Sequence, residues 1–203
     1  MVSIHPSLAV GVTQPSELAA TQIRESNVKH PLEFIPASSR KRLFLTFLAG
    51  TIILFAVFRV LNTPLITPAA PSGIVAFELA GNVKATVDIL LSWDERADLF
   101  AAFGLGLDYL FMPFYALALG FGTLLAAGRH AGWLKSFGAL AGWGALTAAL
   151  FDAVENFALW QILLGVLAQP WPELAAFCAK VKFGLLILGL VYALIGWVWP
   201  KKK

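Results

Sequence analysis

Four stretches of the chain are apolar for longer than a soluble helix requires: residues 43–61, 99–127, 136–167 and 174–199. A spanning helix needs about 20 mainly apolar residues, so each stretch predicts a transmembrane helix. The second and third are longer than a bilayer demands, and tilt, a kink or a projecting end would absorb the excess. Residues 62–98 interrupt the pattern. Their first part, NTPLITPAAPSG, is too rich in proline for regular helix. Their second part, NVKATVDILLSW, reads as a helix capped by Asn82. Val83, Val87, Leu90 and Leu91 share its apolar face, while Lys84 and Asp88 stand at i, i+4. Such a helix is expected to lie on the outer interface. Residues 1–42 form a polar arm, expected to be cytosolic and partly disordered, in which TQPSELAATQIRESN could make one short helix capped by Thr13 or Ser16. The arm lacks the basic-then-apolar start of a signal peptide. Residues 200–203 form a basic tail.

Composition fixes the class. Hydrophobic residues make up 59% of the chain and charged residues 13%, with a mean hydropathy of +0.76. A soluble domain carries about 25% charge, so this chain could not cover itself with polar surface in water. The expected fold is an all-α integral membrane protein with four transmembrane helices in a bundle and an outer loop bearing an interfacial helix. The net charge of +3 matters through its placement. Arg40, Lys41 and Arg42 abut the first span, Arg129 and Lys135 flank the turn between the second and third, and Lys201, Lys202 and Lys203 follow the fourth. The other side carries Asp88, Asp94, Glu95, Asp98 and Glu173 against Lys84 and Arg96. The positive-inside bias therefore predicts both termini in the cytoplasm. Trp93 and Trp171 near the outer ends, with Trp133, Trp197 and Trp199 near the inner ends, suit aromatic belts.

The same inventory removes several chemistries. The one cysteine, Cys178, rules out an intrachain disulfide and a CxxC pair. His5, His30 and His130 lie outside the apolar stretches, so a bis-histidine site within the membrane is not expected. No metal or other cofactor is expected. The basic residues are few and juxtamembrane, so the partner they suit is the lipid bilayer, with Lys201–Lys203 at anionic headgroups, and not nucleic acid.

The most informative stretch is ALFDAVENFALW, residues 149–160, where Asp152, Glu155 and Asn156 interrupt an apolar span. A charge facing lipid at mid-membrane costs several kcal/mol, with estimates from about 3 to above 10, so these groups should face other helices. Steps of three and four keep residues on one helical face. In the third span Gly138, Gly142, Ala145, Ala149, Asp152 and Asn156 follow such steps. Gly104, Asp108, Phe111, Tyr115, Ala118 and Gly122 do so in the second, and Ala175, Lys182, Gly189, Ala193 and Gly196 fall on one line in the fourth. In the first span the line is Ala49, Ile52, Ala56, Arg59 and Thr63. Small residues let membrane helices approach closely. These seams bring the rare charges together in an interior cluster of Arg59, Asp108, Asp152, Glu155, Asn156 and Lys182, with Tyr115 on the same face. Arg59 and Lys182 are expected to neutralise Asp108 and Asp152, and Glu155 to pair with Lys180 or Lys182. Pro113 frees the carbonyl of Tyr109 and suggests a kink beside a cavity.

Intramembrane ionisable groups point to a ligand, ion or proton site. The leading expectation is a small carrier or ligand- or ion-binding membrane protein in which Asp108, Asp152 and Glu155 hold a proton or cation, with a homo-oligomer possible. A structural or assembly factor is the alternative. An enzyme acting on a lipid, with Asp152 or Glu155 as general acid or base, is less favoured: the chain has no Ser/His/Asp arrangement, HExxH, aspartate-rich diphosphate motif or Gly-rich phosphate loop. Exchanging Asp152 for Asn and Glu155 for Gln should separate ligand site from scaffold.

The segments FELA, ILLSW, LDYLFMPFYALAL, LFDAVENFALW and AKVKFGLL resemble those of an uncharacterised family of small bacterial four-span membrane proteins, over residues 73–196. The resemblance rests on an LD-aromatic span followed by a DxxEN span. It implies a bacterial inner-membrane location. It carries no agreed activity and no functional residues.

Overall fold

The computed structural model describes residues 28–198, and helices dominate them. They are α1 (Ala37–Leu61), α2 (Ile74–Glu78), α3 (Val83–Ser92), α4 (Glu95–Ala127), α5 (Trp133–Leu163) and α6 (Trp171–Val198), with a 3₁₀ turn at Thr63–Leu65. The possible helix around residues 13–27, Trp199 and the terminal lysines lie outside the described residues. α1, α4, α5 and α6 are long and apolar enough to cross a membrane.

Their ends follow capping more than hydropathy. α4 starts at Glu95 rather than at residue 99, because the Asp94 carboxylate accepts a hydrogen bond from the Ala97 N–H at 2.8 Å and Glu95 and Asp98 suit the positive end of the helix dipole. α5 stops at Leu163, short of residue 167, where Gly165 takes a φ of 91° open to few side chains.

α4 is the central element. It packs on α1, α5 and α6, and α5 packs along α6. The small-residue seams of α4, α5 and α6 face inward: Ala118, Gly122, Gly138, Gly142, Ala145, Gly189, Ala193 and Gly196 are buried. At Gly138 a Cβ would collide with the ring and hydroxyl of Tyr192, which donates to the Leu134 carbonyl at 3.0 Å.

α1 behaves differently. Ala49, Ile52, Ala56, Arg59 and Thr63, the face expected to meet the other helices, are all exposed. The contact face is aromatic instead. Phe47 packs on Phe114 and Phe121 at ring-centroid distances of 5.8 and 6.2 Å, and Phe58 on Phe111 at 5.2 Å. α1 has no fully buried residue. A helix that is apolar all round offers no periodic signal for its inner face, and here large rings outcompeted small residues.

The loop between α1 and α4 folds onto the near ends of α4, α5 and α6. Leu65, Ala70, Phe77, Ile89 and Trp93 join Ala101, Leu105, Leu159 and Ala175 in one apolar cluster. α3 forms with the expected cap and ion pair: Asn82 accepts from the Ala85 N–H at 2.9 Å, and Lys84 Nζ lies 3.1 Å from Asp88 Oδ2. Its buried residues are Thr86 and Ile89, however, and Leu91 is exposed. Trp93 is not a belt residue. It is buried, and its Nε1 donates to the Leu65 carbonyl at 3.0 Å, which pins the loop.

On the termini side, residues 28–36 are docked. Leu32 packs on Phe121 and Leu124, and Trp143 Nε1 donates to the Lys29 carbonyl at 3.1 Å. His30 is buried, 6% exposed, beside Gly142, where any Cβ would strike its ring. Its Nδ1 accepts from the Leu32 N–H at 3.1 Å. That leaves the proton on Nε2, facing Thr123 Oγ1 at 3.1 Å, and Thr123 donates onward to the Gly120 carbonyl at 2.9 Å. Burial pushes the imidazole down to about 4, the nearby Glu33 charge opposing this only in part. His30 is therefore a neutral, satisfied tether.

Candidate functional site: buried carboxyls beside a cavity

Four elements contribute to one polar centre. Lys182 of α6 is buried, and its Nζ donates to Asp152 Oδ1 and to Glu155 Oε1, both at 2.9 Å. It also lies 2.8 Å from Glu155 Oε2. The i, i+3 spacing of Asp152 and Glu155 on α5 is what sets both carboxylates against one ammonium. Tyr115 of α4 donates to the remaining Asp152 oxygen, Oδ2, at 2.7 Å. Next along α5, Asn156 Nδ2 donates to Asp108 Oδ2 on α4 at 2.8 Å. Six of the seven sequence candidates thus lie in connected pairs around the α4–α5–α6 junction.

Arg59 is the exception. It is exposed near the end of α1 and, among the described residues, makes no ion pair. The aromatic face of α1 points to α4, so Arg59 is turned away, and the expected partnership with Asp108 does not form. Lys180 is likewise exposed, and Glu155 pairs with Lys182.

The sequence reading missed Glu78. This buried acid ends the short α2, and its Oε2 approaches Lys182 Nζ to 3.8 Å. Its place is set locally. Gly73 caps α2 with a φ of 63°, a left-handed conformation that favours glycine. Asn62 Oδ1 accepts from the following Ile74 N–H at 2.8 Å, and Asn62 Nδ2 donates to the Ser72 carbonyl at 3.3 Å. The end of α1 therefore holds α2 so that Glu78 points into the helices. A lone acid in the apolar run IVAFELA was the available signal.

The resulting balance is four carboxyl groups, Glu78, Asp108, Asp152 and Glu155, to the single ammonium of Lys182. Lys182 is committed to Asp152 and Glu155. Glu78 Oε2 accepts no hydrogen bond despite its burial, and Asp108 is met by an amide rather than by a cation. Buried polar atoms are nearly always satisfied, so the Glu78 carboxyl, with Glu155 and Lys182 beside it, needs a proton or a further partner to complete it. Burial pushes the Glu78 carboxyl above the ordinary carboxylate range, and Asp152 adds to this while Lys182 opposes it.

A cavity of about 190 Å³ adjoins this centre. Glu78, Asp108, Asp152 and Lys182 form its polar end. Its other walls are aromatic and aliphatic, including Phe55, Phe58, Phe111 and Phe183. The rings are contiguous with the polar end: Phe58 packs on Phe111, and Phe111 on Tyr115, each at 5.2 Å. Pro113 is on the exposed flank of α4, which runs on through it. Among the described residues, no group of three or more His, Cys, Asp or Glu side chains is arranged to hold a metal ion.

Comparison with protein-family models, curated proteins and solved structures finds no match to this chain.

Proposed function

We propose that this chain is a multi-pass protein of a bacterial inner membrane, both termini cytoplasmic, and that it acts as a small carrier or binding protein for a proton or cation. Four helices of spanning length and composition support the membrane reading. The bacterial inner-membrane location rests on the sequence resemblance alone, and the basic residues beside the first span and in the turn before the third support the sidedness. Asp152 stands 11 residues from the end of α5, and Lys182 stands 11 from the start of α6. At about 1.5 Å per residue, that is roughly 16 Å from the loop-side helix ends, well inside the hydrocarbon.

The observation that carries the reading is the excess of carboxyls at the cavity. Two acids, Glu78 and Asp108, face the space without a cation of their own. A purely structural cluster needs no more acids than cations, because each extra buried acid must either hold a proton or leave a costly unpaired ion. A site that exchanges protons against a cation needs this imbalance. Since Lys182 bridges Asp152 and Glu155, neutralising that pair would strip a buried ammonium and test folding more than binding. Glu78→Gln with Asp108→Asn leaves the Lys182 bridge intact and is the better test. With the full chain in nanodiscs and weak buffer, tetramethylammonium chloride should release protons from the wild type relative to sodium chloride. The double variant should release none while unfolding at a similar temperature. No proton release from the wild type, or a double variant that fails to fold, would favour a scaffold role instead.

A further inference from the structure

Resting on that reading, we infer that the cation is the headgroup of an amphiphile already dissolved in the bilayer, which enters sideways between α1 and α6. Three features of the cavity lead there. First, its walls come from helices that flank α4 on different sides. Phe55, Phe58 and Leu61 of α1 form one wall, Phe183 and Leu186 of α6 another, and Phe111 of α4 lies on the same cavity. Toward the termini α1 reaches α6, where Phe44 stacks on Trp197 with centroids 6.5 Å apart. Toward the loop the cavity lies between them. Phe55 lines it and is still 58% exposed on the apolar flank of the molecule, so the rim of the cavity lies at the surface that faces acyl chains.

Second, the size suits part of a molecule. Sites that enclose a whole drug-sized ligand start at roughly 300 Å³, whereas this one holds about 190 Å³. A compact headgroup fits, and its hydrocarbon chain stays outside among lipids. Third, the chemistry of the lining selects the sign of charge. Lys182 is held by Asp152 and Glu155, with Glu78 Oε2 a further 3.8 Å away, so its ammonium is already surrounded by acids. The groups left over are Asp108 and Glu78, which is 8% exposed as a residue and whose Oε2 accepts no hydrogen bond and lies 3.8 Å from Lys182 Nζ. Phe58, Phe111 and Tyr115 form a contiguous aromatic row on the cavity wall, and aromatic rings attract ammonium groups, most strongly where water is excluded. Acid, aromatic wall and lipid-facing rim together describe a site for a lipophilic ammonium.

The full chain in nanodiscs would be titrated with radiolabelled dodecyltrimethylammonium, with dodecyl sulfate and dodecanol as partners of equal chain length and empty nanodiscs to subtract partition. The inference expects saturable binding of the ammonium alone. Glu78→Gln with Asp108→Asn should weaken it about tenfold, and Phe55→Ala with Phe58→Ala severalfold. Both variants should retain wild-type helicity, since neither alters Lys182, Asp152 or Glu155. Equal binding of the sulfate or alcohol, or unchanged binding by the acid variant, would overturn the proposal. If tetramethylammonium releases protons but the twelve-carbon chain adds nothing specific, then lateral entry is wrong while the cation site stands.

Discussion

Among the described residues two buried polar centres stand out, one toward the termini and one toward the loop, and they are built on opposite principles. On the termini side, His30, Thr123 and Gly120 form a closed relay in which every donor has an acceptor and no group is charged. It sits in a notch made by Gly142, and it ties residues 28–36 to the helices. On the loop side, one ammonium faces an excess of carboxyls, Glu78 Oε2 and Glu155 Oε2 accept no hydrogen bond, and a cavity adjoins. A satisfied neutral network is what packing alone selects. An unsatisfied charged one persists only where an occupant or a proton completes it.

The largest way to break this contrast is to remove the one cation. Lys182→Met should cost about 3–5 kcal/mol, the range for stripping one partner from a buried ion pair, and would appear as a large fall in the thermal midpoint. Adding Asp152→Asn and Glu155→Gln to it should recover most of the loss. If Lys182→Met alone is harmless, the ammonium is not the hub of the cluster.

The two centres should also differ in the sign of their pH dependence. Glu78 binds its proton more tightly in the folded chain. Its contribution to stability is full below the ordinary carboxylate range and fades as pH rises through its raised value. His30, held down to about 4, behaves inversely: its contribution is full above the free imidazole value of about 6.5 and fades as pH falls toward 4. Each pKa unit is worth about 1.4 kcal/mol, so the acid-side loss is at most a few kcal/mol. Thermal midpoints across pH should show Glu78→Gln flattening the alkaline decline and His30→Gln flattening the acid one. A Glu78→Gln effect on the acid side would contradict the assignment.

The smallest effect belongs to Arg59. Exposed and without an ion pair among the described residues, it should tolerate Arg59→Ala within about 0.5 kcal/mol in the same unfolding assay. A loss on the scale of Lys182→Met would restore Arg59 to the cluster.

How far the sequence could be read depended on periodicity. α4, α5 and α6 carry glycine and alanine at steps of three and four in register with Asp108, Asp152 and Lys182, so their inner faces and the core of the site were legible. α1 is apolar on every side, and nothing in its pattern distinguishes the Phe47–Phe58 face that packs from the Ala56–Arg59 face that does not. Glu78 was hidden for another reason. α2 has five residues, too short for any period, and its placement depends on the Asn62–Ile74 bond across a loop. His30 was hidden likewise, because its burial comes from the notch at Gly142, over a hundred positions away along the chain.

The cavity's preference for positive charge can be measured without knowing the natural occupant. Gly104 lines the cavity, and a Cβ there meets nothing within 4 Å. Gly104→Cys, in a Cys178→Ala background that removes the buried native thiol, would be treated in membranes with trimethylammonium-ethyl and sulfonato-ethyl methanethiosulfonates. A cavity governed by Glu78, Asp108 and Asp152 should be labelled about tenfold faster by the ammonium reagent, and Glu78→Gln with Asp108→Asn should erase the difference. Equal rates, or faster labelling by the sulfonate, would mean that the carboxyls do not set the charge of this space.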